Sequence, residues 1–212
     1  MEVLIAGGHG QIALRLERLL AQAGHRPRGL IRNPAHASDL EAAGAEPVLC
    51  DLEHDDPRPH IGAADAIVYA AGAGPGSGAE RKRTMDYGGA AKLIDAAREL
   101  GVSRWIMVSS VGAGDPERGS EQMRPYLQAK HDADEALASS GLEWTIVRPG
   151  RLTNEPGTGF VDASTRLGHY GEIPRDDVAL VLLECLDAPN TVGVTFELFA
   201  GETPARDAVR AL

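Results

Sequence analysis

A tyrosine and a lysine four positions apart, Tyr126 and Lys130, are the residues best suited to acid–base chemistry. They fall on a predicted helix, where residues four apart share one face. A nearby ammonium stabilises the phenolate form of a tyrosine, so the phenol can exchange a proton near neutral pH. Ser109 and Ser110 end the predicted strand before this helix, where a hydroxyl could hold a substrate carbonyl. The pair would also suit a solvated helix face, but its place after a strand end favours catalysis.

A glycine-rich turn near the N terminus is suited to binding a phosphate. Residues 3–6 form an apolar run that predicts a buried strand, and the apolar spacing from Ile12 onward predicts a helix. Gly7 can adopt the angles of a tight turn, and Gly10 lets an anion approach the backbone because it has no Cβ. The free N–H groups of the helix N terminus would then face that anion. The expected nucleotide contacts here are Gly7, His9, Gly10, Gln11 and Ile12.

The end of the second predicted strand indicates which dinucleotide is bound. A site specific for NAD usually has an acidic residue here, which hydrogen-bonds the ribose, but this chain has Arg32. A guanidinium can pair with a 2′-phosphate through two hydrogen bonds. Arg32 and the adjacent Asn33 therefore predict NADP(H) as the cofactor, although a solvated surface arginine would give the same sequence.

The third and fourth predicted strands also end in possible nucleotide contacts. Asp51 and Leu52 follow the third strand, where the Asp51 carboxylate could accept from the adenine amino group or cap a loop. Ala70, Ala71 and Gly72 end the fourth strand, and their small side chains would let a nicotinamide ribose lie against the backbone. Ligands of open parallel sheets bind beyond the carboxyl ends of the strands, so these residues would meet the glycine turn.

Strands alternate with helices along the chain. Short apolar runs predict strands near residues 3–6, 26–31, 46–50, 64–71, 104–110, 143–148 and 195–199, with helical periodicity between most of them. This alternation predicts an α/β fold of the Rossmann type, in which a doubly wound, mostly parallel sheet has helices on both faces. The helix after the third strand has the weakest pattern.

We expect one domain over residues 1–212, because no stretch of the sequence resembles a linker or an internal repeat. Residues 151–174 show little periodicity and are long for a plain connection, so they are a candidate segment over a substrate cleft. Residues 72–80 and 112–125 are expected to cover the same cleft.

The composition is that of a soluble globular protein, with 43% hydrophobic residues and a net charge of −10. That charge would repel nucleic acid and anionic membranes, and no apolar run approaches the roughly 20 residues of a membrane span. Cys50 and Cys185 stand at positions predicted to be buried, and the chain enters a strand at once, which favours a cytoplasmic location. We expect a monomer or homodimer that acts on a small-molecule substrate.

Two polar groups are predicted to have no functional role. One lies in a proline-broken loop without metal-ligand spacing, so we expect no metal there. Its residues are His54, Asp55, Asp56 and His60. The other is expected on a solvated helix face and consists of Asp132, Asp134 and Glu135.

Five sequence features together resemble the atypical short-chain dehydrogenase/reductase family, and within it the small NAD(P)H-binding group of biliverdin reductase B-like and NmrA-like proteins. They are the turn of Gly7, Gly10 and Ala13, the VSSVG of residues 108–112, the pair at 126 and 130, the WTIVRPG of residues 144–150 and the GETP of residues 201–204. The turn has the spacing Gly-x-x-Gly-x-x-Ala, which departs from the commoner Gly-x-Gly-x-x-Gly. The resemblance covers nearly the whole chain and implies the same fold and cofactor class.

The resemblance also implies roles for individual residues. The catalytic serine would be Ser110, with Ser109 as the second choice. Lys130 would hydrogen-bond the nicotinamide ribose as well as acting on Tyr126. Pro149 would line the nicotinamide pocket.

We therefore expect an NADP-dependent oxidoreductase that transfers a hydride to a small carbonyl, quinone or flavin-like acceptor. Tyr126 would supply the proton, Lys130 would tune that tyrosine, and Ser110 would orient the substrate oxygen. One alternative is a non-catalytic NADP(H) redox sensor that binds a protein partner, and another is an NADP-retaining sugar epimerase or isomerase. The intact Tyr126, Lys130 and Ser110 favour catalysis over sensing, and the short C-terminal part leaves little room for a nucleotide sugar.

Overall fold

The computed structural model describes residues 1–74 and 76–212, and a nine-stranded sheet forms its centre. The strands of this sheet are β1 (Glu2–Ala6), β2 (Arg26–Ile31), β3 (Glu46–Leu49), β4 (Ala66–Tyr69), β5 (Arg104–Val108), β6 (Glu143–Pro149), β8 (Phe160–Ser164), β10 (Val194–Ala200) and β11 (Thr203–Pro204). Two further strands, β7 (Arg151–Thr153) and β9 (Glu172–Pro174), pair with each other. Pro75, within the segment 72–80 expected beside the cleft, lies outside the described residues.

The sheet is mostly parallel, with the spatial order β11-β8-β10-β6-β5-β4-β1-β2-β3. Every pair from β10 to β3 is parallel, whereas β8 pairs antiparallel with both β10 and β11. The chain winds outward from β1 to β3, crosses back over β1, and continues with β4, β5 and β6 on the other side. This confirms the predicted doubly wound fold, and it opens a crevice at the carboxyl ends of β1 and β4.

Helices cover both faces of the sheet. They are α1 (Gln11–Gln22), α2 (Ala37–Ala42), α3 (Arg58–Ile61), α4 (Ala79–Arg81), α5 (Ala90–Leu100), α6 (Arg124–Ala138), α7 (Arg175–Leu186) and α8 (Ala205–Arg210). The apolar sides of α1, α7 and α8 pack on one face, and those of α3, α5 and α6 pack on the other. The weak helical pattern after the third strand corresponds to α3, which is a single turn. None of the helices among the described residues is long and apolar enough to span a bilayer.

The alternation of side chains along β1 shows why this strand lies in the middle of the sheet. Val3 and Ile5 belong to the apolar layer under α1, while Leu4 and Ala6 belong to the layer on the opposite face. Successive side chains of a strand point to opposite faces, so a strand that is covered on both sides is apolar throughout. All four residues are fully buried.

The helical segment that runs from α4 to α5 changes its hydrogen-bond pattern between these two helices. Residues Lys82–Gly89 form a π-helix, in which backbone hydrogen bonds join residues five apart instead of four. The hydroxyl of the buried Tyr69, at the end of β4, donates to the Met85 carbonyl at 2.6 Å. This tyrosine therefore ties the π-helix to the sheet, directly behind the crevice.

Residues 151–174 contain three strands that the sequence pattern did not predict. Strand β8 extends the main sheet, and the loop before it is held by Asp177, whose carboxylate accepts from Thr158 N at 3.0 Å and Gly159 N at 2.8 Å. A short antiparallel strand such as β8 leaves almost no periodicity, because its hydrogen-bond partners, β10 and β11, lie elsewhere in the chain. Part of this segment thus belongs to the sheet, and its role over a substrate cleft stays a prediction.

Glu17, on α1, is a fully buried carboxyl beneath the glycine turn. Neither of its side-chain oxygens has a hydrogen-bond partner among the described residues. A Cβ on Gly29 would come within 2.5 Å of Glu17 Oε1, and a Cβ on Gly8 would come within 3.1 Å of it. The carboxyl therefore fits only because both residues are glycine. Burial raises the pKa of Glu17 to about 8, and the group is neutral at pH 7.

We expect the Glu17→Gln protein to lose less stability than the native protein when the pH is raised into the alkaline range. The folded pKa lies above the usual carboxyl value, so stability is highest below about pH 4.5 and falls as pH rises through 8. Glutamine has the same shape and does not ionise. The free energy of unfolding should therefore favour the variant by on the order of 3 kcal/mol more at pH 8.5 than at pH 5.

Urea unfolding at the two pH values measures this difference. An identical pH dependence in both proteins would show that Glu17 does not stay protonated in the folded chain.

Candidate functional site

A cavity of about 300 Å³ lies at the carboxyl ends of β1 to β4. Its wall brings together predicted nucleotide contacts from four separate strand ends, namely Gly7, His9, Gly10, Arg32, Asp51, Leu52, Ala70, Ala71 and Gly72. Sequence reasoning missed the rest of the wall, which consists of Leu30, Ile31, His36, Cys50, Ala73, Arg81 and Met85. The crevice of the doubly wound sheet is thus a real pocket with a mixed polar and apolar lining.

Backbone packing explains why glycines occupy the turn after β1. Gly7 has a φ of +79°, and a Cβ there would come within 2.7 Å of Ala71 Cα. A Cβ on Gly10 would come within 2.9 Å of the Gly7 carbonyl oxygen, which accepts the Gly10 N–H at 2.7 Å. The turn therefore presents bare backbone, and the uncharged first turn of α1 adds its N–H groups. Such a cradle fits the pyrophosphate of a dinucleotide.

Three predicted contacts beside this cradle have other surroundings. Gln11 is exposed at the start of α1, while the side chain of Ile12 packs into the apolar layer, so only its backbone could reach a nucleotide. Asn33 caps the 3₁₀ turn Pro34–His36, because its Oδ1 accepts from Ala35 N at 3.0 Å.

The mouth of the cavity carries two guanidinium groups that share one carboxylate. Arg32 Nη1 lies 3.7 Å from Glu53 Oε2, and Arg81 Nε lies 3.4 Å from the same oxygen. Thr84 Oγ1 donates to the other Glu53 oxygen at 2.8 Å. No acidic residue adjoins Arg32 in the sequence, but the turn after β3 brings Glu53 beside it in the folded chain. With Asp51 also in the cavity wall, basic and acidic side chains are equal in number here, and the two guanidinium groups are the ones that could pair with an anion.

Asp51 has a structural role that accounts for part of its carboxylate. Its Oδ1 accepts from Glu53 N at 3.0 Å, and its own N–H donates to Asp55 at 2.7 Å. These bonds shape the turn that carries Glu53 to the cavity mouth. Asp51 also lines the cavity, so a contact with adenine stays a prediction.

Lys130 is held by a buried ion pair that the sequence did not indicate. Its side chain is only 6% exposed, and Nζ donates to the Val108 carbonyl at 3.1 Å. Nζ also lies 3.3 Å from Asp86 Oδ1, an ion pair without good hydrogen-bond angles. The other Asp86 oxygen accepts from Ala73 N at 3.1 Å, and Ala73 is part of the cavity wall. Asp86 therefore joins the wall of the cavity to the helix that carries the acid–base pair.

The charge state of Lys130 follows from its neighbours. Burial alone lowers the pKa of its ammonium, but electrostatic attraction to Tyr126, Asp86 and Asp134 outweighs burial, so the pKa is raised. Tyr126 lies one helical turn away on α6 and is half-buried. Lys130 is thus a permanent cation beside the phenol, which is the electrostatic condition that a proton-donating tyrosine needs.

The two serines at the end of β5 have different surroundings. Ser109 is buried, and its hydroxyl donates to Asp134 Oδ2 at 2.8 Å. The same oxygen accepts from Arg148 Nη2 at 2.9 Å. Ser110 is half-buried, and its hydroxyl contacts only the neighbouring Val111 carbonyl at 3.2 Å among the described residues. The hydroxyl of Ser110 is therefore the one that could turn towards a substrate.

The prediction that Asp134 lies on a solvated helix face was wrong. Its side chain is 2% exposed, and burial raises its pKa although the nearby Arg148 guanidinium lowers it. Asp134 follows Lys130 by four residues, so it lies on the face of α6 that packs towards β5 and β6. A charged residue on a buried helix face could not be recognised without its partners on other elements.

The structure does not bring all predicted site residues into one pocket. Ser109, Ser110, Tyr126, Lys130 and Pro149 lie at the ends of β5 and β6 and on α6, outside the lining of the 300 Å³ cavity. The cavity is the nucleotide half of the predicted site, and Asp86 connects it to the acid–base half.

Comparison with known proteins places the chain in a defined family. A family model described as NAD(P)H-binding matches residues 7–189. A Bacillus subtilis (strain 168) protein, named as an uncharacterized sugar epimerase, YhfK, is 44% identical over 216 residues, which cover 100% of both chains.

Two solved structures extend this comparison. A Bacillus halodurans protein, named as a candidate NAD-dependent epimerase/dehydratase, superimposes with a TM-score of 0.97 at 42% identity over 100% of both chains. The anaerobillin reductase ChuY of Escherichia coli O157:H7 has a TM-score of 0.79 at 25% identity, covering 94% of this chain and 97% of its own.

The glycine cradle can be tested by adding one methyl group. We expect Gly10→Ala to lower the affinity for NADPH at least tenfold, because its Cβ would press on the Gly7 carbonyl 2.9 Å away and distort the turn. Gly78→Ala is the matched control, since a Cβ there meets no described atom within 4 Å. Calorimetric titration gives the affinities, and thermal melting shows whether each variant folds. Native affinity in a folded Gly10→Ala protein would place the nucleotide elsewhere.

Proposed function

The chain belongs to the NAD(P)H-binding family, and we propose that it is an NADPH-dependent reductase acting on a small carbonyl, quinone or flavin-like acceptor. The observation that carries this proposal is the connection from the cavity wall at Ala73, through Asp86, to Lys130, which lies one helical turn from Tyr126. Binding of the ribose alone could also require Lys130, but it would not require a phenol one helical turn from that cation.

The residues of the acid–base half have separate tasks in this proposal. The bound cofactor supplies a hydride, and Tyr126 supplies the proton that completes the reduction of the acceptor. Lys130, fixed by Asp86 and the Val108 carbonyl, stabilises the phenolate that remains. The Ser110 hydroxyl orients the substrate oxygen towards Tyr126. Ser109, Asp134 and Arg148 keep the end of β5 in place beside α6.

The choice of NADP(H) over NAD(H) is also part of the proposal. Arg32 and Arg81 stand at the mouth of the cavity and share only Glu53 between them. A 2′-phosphate there would gain charge-assisted hydrogen bonds that a bare ribose hydroxyl cannot make. Arg32 is more than half exposed, so it can leave Glu53 for a phosphate without a large desolvation penalty.

A sugar epimerase that retains its cofactor is the second candidate. The names of the Bacillus subtilis and Bacillus halodurans relatives favour it. The same tyrosine and lysine would serve an oxidation followed by a reduction. In this chain, β8 and the Asp177 contacts bind residues 158–164 to the core, so this part of the segment is not an open loop that could fold over a nucleotide sugar.

Arg32→Ala tests the choice of cofactor. We expect the native protein to bind NADPH roughly tenfold to a hundredfold more tightly than NADH, and the variant to lose most of this preference. Arg98→Ala on α5 is the control, because its guanidinium pairs only with Asp95 among described residues. Calorimetry with both nucleotides measures the ratio. Equal affinities in the native protein would contradict a preference for the phosphate.

Tyr126→Phe tests the reaction itself. The ring and its packing are kept, so the affinity for NADPH should stay nearly unchanged while turnover falls by roughly 10²–10⁴. Tyr87→Phe is the matched control, because that ring packs against the apolar layer under α5. The assay follows the loss of NADPH absorbance with a panel of quinones, flavins and aldehydes.

Each outcome of the Tyr126→Phe assay has a distinct meaning. Full activity in the variant would mean that the acceptor takes its proton from water. Tight NADPH binding without turnover of any acceptor would favour a redox sensor. A separate incubation of the native protein with sugar nucleotides, analysed by chromatography, covers the second candidate, because isomerisation without net loss of cofactor would favour the epimerase.

A further inference from the structure

Two histidine rings stack at the edge of the cavity. His9 belongs to the glycine turn, and His36 ends the 3₁₀ turn after β2. Their ring centroids are 3.6 Å apart with an angle of 14° between the planes. Both line the cavity, as does Arg32. An imidazole pair thus stands on the wall where the proposed 2′-phosphate would lie.

The hydrogen bonds of the pair indicate which ring nitrogens donate. His9 Nε2 lies 2.8 Å from Asp39 Oδ2, and a carboxylate can only accept, so this nitrogen carries a hydrogen. The Oδ1 of Asn33 already accepts from Ala35 N, so its amide nitrogen is the group that donates to His36 Nε2 at 3.4 Å. His36 Nε2 is therefore an acceptor, and the hydrogen of this ring is on Nδ1.

One extra proton is the most that this stack can hold. Two stacked imidazolium rings would repel each other, whereas a charged His9 over a neutral His36 is attractive. Charging His9 also leaves its Nδ1–H free to donate, because Nε2–H is taken up by Asp39. An anion bound at this wall would find one additional cationic donor.

We infer that His9 and His36 form a proton-coupled site for the 2′-phosphate, in which binding of the phosphorylated nucleotide places a proton on His9. This inference rests on the proposed binding of NADP(H). Imidazoles change charge between about pH 5 and 8, so the coupling would act in the physiological range. An unphosphorylated dinucleotide would bind without this proton.

Charged groups of both signs surround the two rings. Asp39 on α2 pairs with His9 Nε2, while Arg32 at the end of β2 and Arg81 on α4 line the same cavity wall. Glu53 and Asp51, from the turn after β3, offset the two arginines. A phosphate dianion at this wall would add negative charge beside His9, which favours a proton on that ring.

Calorimetry in two buffers of different ionisation enthalpy, HEPES and Tris, counts the protons taken up. At pH 7.5 the nucleotide phosphate is already almost fully dianionic and releases little proton of its own. We expect NADP⁺ to bind with uptake of roughly half a proton per site and NAD⁺ with almost none. The ratio of the two affinities should fall about three- to tenfold between pH 6.5 and 8.5.

Histidine variants show which ring takes up the proton when NADP⁺ binds. His9→Asn should abolish the uptake, and His36→Asn should reduce it because the stack is lost. His25→Asn is the control, since His25 contacts the N-terminal amine at the other end of the sheet. Equal proton uptake with NADP⁺ and NAD⁺, or unchanged uptake in a folded His9→Asn protein, would overturn this inference alone. Failure of both nucleotides to bind would overturn the proposed function as well.

Discussion

Lys130 and Asp86 lie 3.3 Å apart in the interior, and both halves of the candidate site depend on this ion pair. Removing one member of a buried pair leaves the other charge uncompensated, which typically costs about 3–5 kcal/mol. Asp86 also accepts the backbone N–H of Ala73 in the cavity wall, so one carboxylate positions two structures at once. The nucleotide pocket and the acid–base helix are therefore connected through a single side chain.

The π-helix is the element that places Asp86 there. Its wide turn displaces residues 82–89 from regular α-helical positions, and the Tyr69 hydroxyl holds it to the sheet by donating to the Met85 carbonyl. Gly89 completes the arrangement, because a Cβ at that position would come within 2.9 Å of the same hydroxyl. π-helical turns often occur at functional sites, and here the turn has a specific use.

The cavity mouth carries two guanidinium groups in a chain whose net charge is −10. Glu53 lies beside both Arg32 and Arg81, and Asp39 lies beside the imidazole of His9. Such pairs hold the cationic groups in place while the cavity is solvated. A phosphate that enters can replace the carboxylates as partner, which favours an anionic ligand in an otherwise acidic protein.

The sequence by itself determined the parts of the protein that depend on local spacing. Apolar runs and the glycine turn predicted the strands, the first helix and the doubly wound sheet, and a spacing of four residues placed Tyr126 and Lys130 one turn apart. These features follow from backbone geometry within a few residues. The same local patterns also predicted nine of the residues that line the cavity, because the carboxyl ends of parallel strands meet at one edge of the sheet.

Only the tertiary structure decided which polar side chains meet. Glu53 lies beside Arg32, and Asp86 pairs with Lys130. Asp134 is buried and accepts hydrogen bonds from Ser109 and Arg148. Strand β8 likewise exists because β10 offers it a partner. In each case the partner is distant in sequence, and a charged residue has the same local pattern whether it ends in water or in an ion pair. Burial and pairing depend on the packing of whole elements, which local spacing does not contain.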